Sequence, residues 1–298
     1  MNDGVGTMKI GIIGGGSIGL LFAGYLAESH DVTIFTRTEH QANEINKKGI
    51  TIEKKNNVKT FNVQAKISSS SVKEMDLLFI AVKQYILTDL LTQLKDIEKV
   101  GMICFLQNGM GHIEHIKQLQ NATILVGIVE HGALKVDNTT VIHTGIGQTK
   151  IGTYKGNVPV LENIHTDFPI EFHDDWFDIL SNKLVVNAVI NPLTALYRVK
   201  NGELLENSYF HKQMKNVFRD IVSIIPTNEE KMWELVTTIC KNTASNKSSM
   251  LRDIEEGRKT EIDAILGYIL IEAKKRKREL TITQFLYDSL KGIEYKGG

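Results

Sequence analysis

Lys183, Asn187 and Asn191 stand at i, i+4 and i+8 in a segment of helical periodicity. Each side chain is then rotated only about 40° from the last, and all three line one helix face. An ammonium and two amides set among Leu184, Val185, Val186, Val189 and Ile190 are poor core material, because buried polar groups need partners. The line suits a ligand groove. Pro192 cannot donate to the Ala188 carbonyl, so a kink or break is expected just beyond Asn191. A different chemistry is written near the start of the chain. The apolar run Met8–Ile13 leads into Gly14-x-Gly16-x-x-Gly19 and then into a helical pattern with Leu20, Leu21, Ala23, Leu26 and Ala27. Gly14 permits a tight turn, Gly16 lets backbone approach a pyrophosphate, and Gly19 lets the helix pack closely on the strand. The helix N-terminus adds N–H donors and partial positive charge, which together make a dinucleotide site.

A second strand pattern, Asp31–Arg37, ends about twenty residues after the first glycine, where such units face the adenosine ribose. A carboxylate there would select NAD; Thr36-Arg37 instead offers a hydroxyl and a guanidinium fork suited to a 2′-phosphate. NADP(H) is therefore expected, with Glu39 nearby as the opposing feature. Lys83 and Asn108 follow the ends of the buried-type strands Met75–Val82 and Gly101–Leu106. Ligands in open α/β sheets bind past the carboxyl ends of the strands, which makes both of them candidates.

The elements that must position these residues follow from periodicity. Strands alternate with helices through the first half: a helix near 40–48, a small β excursion over 49–66, a helix near 86–94, a strand at Thr123–Val129 and a hairpin over Val141–Gly152. This predicts an α/β unit with a mostly parallel doubly wound sheet and an antiparallel edge. From about 174 the texture becomes helical, with segments near 176–197, 210–225, 229–241 and 260–277. The expected division is a disordered extension at 1–7, a Rossmann-type domain over 8–173 and an all-helical domain over 174–298. Pro159 and Pro169 mark the join.

Composition bounds the partners. The 298 residues carry 35 Lys+Arg against 35 Asp+Glu, so no global field draws in nucleic acid or an anionic membrane. The basic run Lys274–Arg278 fits a solvated helix end. Cys104 and Cys240, each among apolar neighbours, give no metal spacing or disulfide framework, in keeping with a reduced, cytoplasmic setting. No export signal is present and no run approaches about 18 apolar residues, so no membrane span is expected. Asn201-Gly202-Glu203 reads as a turn or cap, Ser249 as a helix cap or a polar site residue, and Glu261 as a helix carboxylate.

Taken in order, the glycine turn, Ala81-Val82-Lys83, Gln107-Asn108-Gly109-Met110-Gly111, Lys183 to Asn191-Pro192-Leu-Thr-Ala195, Asn201-Gly202-Glu203-Leu204, Ser248-Ser249-Met250-Leu251 and Lys259-Thr260-Glu261-Ile262-Asp263 resemble the motif series of ketopantoate reductases. The resemblance runs from Met8 to about Leu290. It implies a Rossmann domain followed by a helical domain similar to the C-terminal domain of 6-phosphogluconate dehydrogenase. The implied activity is NADPH-dependent reduction of 2-dehydropantoate to (R)-pantoate, in pantothenate and coenzyme A synthesis. It assigns the dinucleotide to Gly14, Gly15, Gly16, Ser17, Ile18, Gly19, Arg37, Lys83, Asn108 and Ala133, and makes Lys183 the proton donor. Asn108, Lys183, Asn187, Asn191, Asn201 and Ser249 match substrate positions, and Glu261 a catalytic carboxylate near both ligands. No metal is implied, and the chain would act as a monomer or homodimer. The chain departs from the pattern at Ser223–Glu229 and at Leu280–Thr283.

The residue types supply a mechanism. Charge develops on the ketone oxygen during hydride transfer, and a positioned ammonium can bond that oxygen and then protonate it. Partial desolvation should help lower a lysine pKa from about 10.4. A reductase of another 2-oxo or hydroxy acid is the alternative. An NADP-binding sensor without turnover has no use for Lys183 in line with two amides.

Overall fold

In the computed structural model, residues 7–55, 57–67, 71–94, 96–157 and 166–297 are described. Apart from Thr7, the expected extension at 1–7 lies outside them, as does Pro159. By contacts the chain divides into two compact units, Met1–Gln107 with Glu114–Ile179, and Asn108–Ile113 with Leu180–Gly298.

In the first unit, short runs rich in branched and aromatic residues form most of the strands, and the helices between them are amphipathic apart from the largely apolar first one. The order is β1 (Lys9–Ile13), α1 (Ser17–Leu26), β2 (Asp31–Thr36), α2 (Glu39–Lys48), β3 (Ile50–Lys54), β4 (Asn57–Phe61), β5 (Gln64–Ile67), β6 (Leu77–Ile80), α3 (Gln84–Gln93) and β7 (Met102–Phe105). After α4 (Ile113–Ile116), which begins in the second unit, come β8 (Thr123–Val129), β9 (Gly132–Lys135), β10 (Thr140–Gly145), β11 (Thr149–Lys155) and β12 (Ile170–His173). Eight strands make one sheet in the order β12-β11-β8-β7-β6-β1-β2-β5. The pairs from β5 to β8 are parallel and β11 runs antiparallel to β8, so the expected doubly wound sheet with an antiparallel edge is present. Strands β6 and β7 are buried on both faces, which accounts for their unbroken apolar sequences.

The expected hairpin over 141–152 is not there. Strand β10 pairs antiparallel with β9 and parallel with β3, in a second sheet of order β4-β3-β10-β9, while β11 belongs to the main sheet. The true hairpin is β9–β10. The Asp137 carboxylate shapes its turn by accepting from the Thr139 and Thr140 N–H groups, both at 2.7 Å. Helix α1 is apolar nearly all round because it packs against both sheets, and Leu20, Leu21, Phe22 and Leu26 are fully buried.

The second unit holds the helices from Leu180 onward: most of α5 (Trp176–Tyr197), then α6 (Glu203–Glu206), α7 (Ser208–Val222), α8 (Glu229–Asn242), α9 (Ser249–Glu255), α10 (Tyr268–Lys275) and α11 (Thr281–Gly297). Asn207 and Asn228 cap α7 and α8 by accepting N–H bonds of the first turn. Helix α7 buries Met214, Val217, Phe218 and Ile221, an i, i+3, i+4, i+7 stripe. Helix α5 continues through Pro192, so of the kink or break expected there the break does not occur. Packing explains this: Ala188, Val189, Ile190, Leu193 and Ala195 are buried, and the Thr194 hydroxyl donates to the Ile190 and Asn191 carbonyls. Its length and composition would also let α5 cross a membrane, but 78% of that window is buried within the protein. It is a core helix. The 260–277 segment is not one helix: a π-helical turn at Asp263–Gly267 precedes α10. The basic run does more than meet solvent. Arg276 and Arg278 donate to the Ile224 and Ser223 carbonyls at 2.5 and 3.2 Å, closing the end of α7.

Candidate active site

The glycine turn fits a phosphate group without help from any side chain. Gly14 sits at φ +119°, a conformation other residues rarely adopt, and its N–H donates to the Phe35 carbonyl at 2.9 Å. A Cβ on Gly19 would run into the Gly14 carbonyl, so the fold itself demands glycine there. Gly16 is different. Its backbone is extended (φ −82°, ψ −174°), and an added Cβ would meet nothing within 4 Å. Nothing in the protein requires glycine at 16, so the open space in front of it is what the residue preserves. Gly16 is also the N-cap of α1, and no side chain caps that end. Its first-turn N–H groups, Ser17 and Ile18 among them, are left to an anion. The Gly15 carbonyl is held from two sides, by Gln41 Nε2 at 2.9 Å and Lys135 Nζ at 2.8 Å.

Arg37 is exposed just past β2. The Thr36 hydroxyl, expected to help with a phosphate, is buried and donates to the Thr38 carbonyl at 2.9 Å. Thr38 in turn caps α2, so local backbone needs consume both hydroxyls and leave Arg37 as the cation. Lys83, half-buried, is the N-cap residue of α3 at the end of β6. Gln107 stiffens that end by donating to the Ile80 and Val82 carbonyls at 2.8 and 3.0 Å. Ala133 lies half-buried on β9, paired with His143.

The second unit gathers the polar set. Lys183 and Asn187 are half-buried and Asn191 is 7% exposed, along one face of α5 at the expected spacing. Asn108 donates through Nδ2 to Glu261 Oε2 at 2.9 Å, across 153 positions of chain. Glu261 is only 7% exposed, so it is not the solvated helix carboxylate that its neighbours in sequence allow. The loop is held where it is needed: Gly109 has φ +78° with Ala264 against its Cα, and the Met110 N–H donates to the Ala264 carbonyl at 3.3 Å. The residue before Glu261 is clamped as well, because Glu294 Oε1 accepts from the Thr260 N–H at 2.8 Å and its hydroxyl at 2.5 Å. Single-turn π-helices inside helical segments are frequent at functional sites, and this one follows directly on Glu261. Asn201 donates to Thr243 Oγ1 at 2.9 Å, and its buried Oδ1 has no partner among the described residues.

Ser249 does not cap α9. Ser248 does, accepting from the Leu251 N–H at 3.1 Å and from the Thr194 hydroxyl at 2.8 Å, which ties α9 to α5. Ser249 is exposed in the first turn. Sequence reasoning missed Gln41, Lys135, Gln107 and Glu294. Gln107 stands in a motif quoted above, but nothing local marks the contacts that any of the four makes.

Comparison with known proteins decides the family. The profile described as ketopantoate reductase PanE/ApbA matches residues 10–156, and its C-terminal counterpart matches residues 175–294. The chain belongs to the ketopantoate reductase family. It is 46% identical over 294 residues to the 2-dehydropantoate 2-reductase of Bacillus subtilis, covering 96% of this chain and 98% of that one. It is 40% identical over 295 residues to the enzyme of that name from Listeria monocytogenes, covering 96% and 97%. A crystal structure of the probable 2-dehydropantoate 2-reductase from Bacillus subtilis superposes with a TM-score of 0.88, covering 96% of this chain and all of that one. Ketopantoate reductases are oxidoreductases, and the two profiles together cover most of the sheet unit and most of the helical unit of this chain.

Proposed function

We propose that this chain reduces 2-dehydropantoate to (R)-pantoate with NADPH, a step of pantothenate and coenzyme A synthesis. The observation that carries the reading is the polar line on α5, an ammonium and two amides held half-buried or buried along one face of a core helix. The 46% identity to a relative named for this reaction supports the substrate, and exposed Arg37 with no carboxylate at the end of β2 supports the 2′-phosphorylated cofactor.

Gly14–Gly19, Arg37, Lys83, Asn108 and Ala133 hold the dinucleotide, which when bound supplies hydride to the ketone carbon. Lys183 Nζ donates a hydrogen bond to the ketone oxygen, strengthens it as negative charge collects there, and delivers the proton. Asn187, Asn191, Asn201 and Ser249 take the substrate carboxylate and hydroxyl without adding charge of their own. The unpaired Asn201 Oδ1 is an acceptor of the kind a hydroxyl needs. Glu261, held by Asn108, orients a substrate or ribose hydroxyl.

Lys183→Ala tests the reading. Its kcat should fall by ~10²–10⁴, the usual contribution of a positioned acid. Dinucleotide binding and thermal stability should change little, because Lys183 acts on charge present mainly in the transition state. A folded variant that keeps kcat within about threefold of the parent removes Lys183 from the chemistry.

A further inference from the structure

Lys135 closes β9, a strand of the second sheet, yet its ammonium reaches the glycine turn and donates to the Gly15 carbonyl at 2.8 Å. The register of the main sheet says what stands beside it. Ile13 of β1 pairs with Phe35 of β2, and the Gly14 N–H donates to the Phe35 carbonyl. Gly15 and Arg37 follow the ends of these two paired strands, and the Lys135 ammonium bonded to Gly15 is close enough to Arg37 to feel its charge. Burial first, and then the charge of Arg37, push the Lys135 ammonium below its ordinary pKa. Asp137 opposes that shift, but its carboxylate is spent within the β9–β10 turn, accepting from the Thr139 N–H, the Thr139 hydroxyl and the Thr140 N–H. No ion pair links Lys135 or Arg37 to a carboxylate among the described residues. A half-buried ammonium near an exposed guanidinium, with no acid bridging them, is a place an anion would stabilise.

We infer that Lys135 is the second cation for the ribose 2′-phosphate of the dinucleotide and, with Arg37, sets the preference for NADPH over NADH. The inference rests on the reading of the chain as an NADPH-dependent reductase. An ammonium has three donors, and the Gly15 carbonyl takes one. Two remain for a ligand, and in this fold a ribose lies past the end of the second strand. A phosphate monoester carries a charge of about −1.5 to −2 at neutral pH, more than one guanidinium neutralises. A 2′-hydroxyl in the same place gains little from a second cation. Lys135 therefore contributes to one cofactor and not the other.

The test is equilibrium binding, by protein fluorescence, of NADPH, NADH, 2′,5′-ADP and 5′-AMP to the parent, Arg37→Ala, Lys135→Met and Lys135→Arg. Lys135→Met should weaken NADPH and 2′,5′-ADP by roughly tenfold or more, the size of a lost hydrogen bond to a charged group. NADH and 5′-AMP should stay within about twofold, and Lys135→Arg should keep most of the preference. Equal losses for both members of each pair would make Lys135 a clamp on the glycine turn or a pyrophosphate ligand, and overturn the inference. If Lys135→Met keeps the NADPH preference while Arg37→Ala loses it, the inference fails and the cofactor reading stands. A parent that binds NADH as tightly as NADPH overturns both. Lys135→Arg keeps the test decisive should Lys135→Met fold poorly.

Discussion

Gly16→Ala separates what the fold needs from what the ligand needs. The added methyl meets no protein atom within 4 Å, and φ −82°, ψ −174° is open to alanine. Two small terms act on stability. Alanine is a poorer N-cap than glycine by up to about 1 kcal/mol, and replacing glycine restricts the unfolded chain, which returns about 0.4–1 kcal/mol. The net is under about 1 kcal/mol, a change in Tm of no more than about 3 °C for a protein of this size. The ligand has no such compensation. A methyl placed where a pyrophosphate approaches the backbone should cost about 1–3 kcal/mol of overpacking, as an extra methylene does in a filled core. That is a loss of dinucleotide affinity of roughly 5- to 150-fold. Thermal unfolding and a fluorescence titration with NADPH, run on the same preparation, read both quantities. Gly19→Ala is the control, because its Cβ would strike the Gly14 carbonyl and should lower Tm and affinity together. A folded Gly16→Ala protein that binds NADPH within about twofold of the parent would refute the placement of the phosphates at this turn.

Asn187→Ala and Asn191→Ala should raise the KM for 2-dehydropantoate while leaving NADPH affinity nearly intact; loss of helix content by circular dichroism together with NADPH binding would mark them as structural instead. A buried chain of rings should make the fold acid-sensitive. The Gly147 N–H donates to His131 Nδ1, so that atom is an acceptor, His143 Nε2 donates to it, and the Tyr25 hydroxyl donates to His143 Nδ1. Burial, and then His143, lower the His131 pKa to about 4. The unfolded chain takes up that proton near pH 6.5 and the folded one only near pH 4, so the contribution is full above pH 6.5 and is lost as pH falls to about 4. The loss is at most about 3.4 kcal/mol, less whatever solvent screens. Urea unfolding across this range should give a shallower acid limb for His131→Leu than for the parent; parallel limbs would reject the assignment.

The glycine turn and the α5 line were legible because their meaning is local, a loop conformation and a helical spacing. So was the parallel sheet, whose buried strands announce themselves as apolar runs. The pairing of β10 was not, since its partner β3 lies about ninety residues earlier and nothing in Val141–Gly145 says which sheet will take it. Strand β9 escaped because Gly132-Ala-Leu-Lys135 lacks branched residues, and with it went the Lys135 contact to Gly15. Adjacent serines gave no way to tell that Ser248 caps α9 and Ser249 does not; the Thr194 hydroxyl, donating from α5, joins the first of them to the core. At Pro192 the local rule allows a break, and packing around α5 carries the helix through. Glu261 reads locally as an ordinary helix carboxylate; the motif series singles it out as a site residue, and its bond to Asn108, brought from across the chain, is what no local pattern shows.

The central claim is tested most directly by steady-state oxidation of NADPH by the purified chain with 2-dehydropantoate, compared with pyruvate, 2-oxobutyrate and phenylglyoxylate, and with NADH in place of NADPH. The predicted result is turnover with 2-dehydropantoate and NADPH at a kcat/KM of about 10⁴ M⁻¹s⁻¹ or more, in the ordinary range for enzymes. The other acids should fall at least about a hundredfold below it, because the amides of α5 and Asn201 are left unpaired by a substrate lacking the hydroxyl. Equal or greater kcat/KM for another 2-oxo acid, or no NADPH oxidation with 2-dehydropantoate by the folded protein, would contradict it.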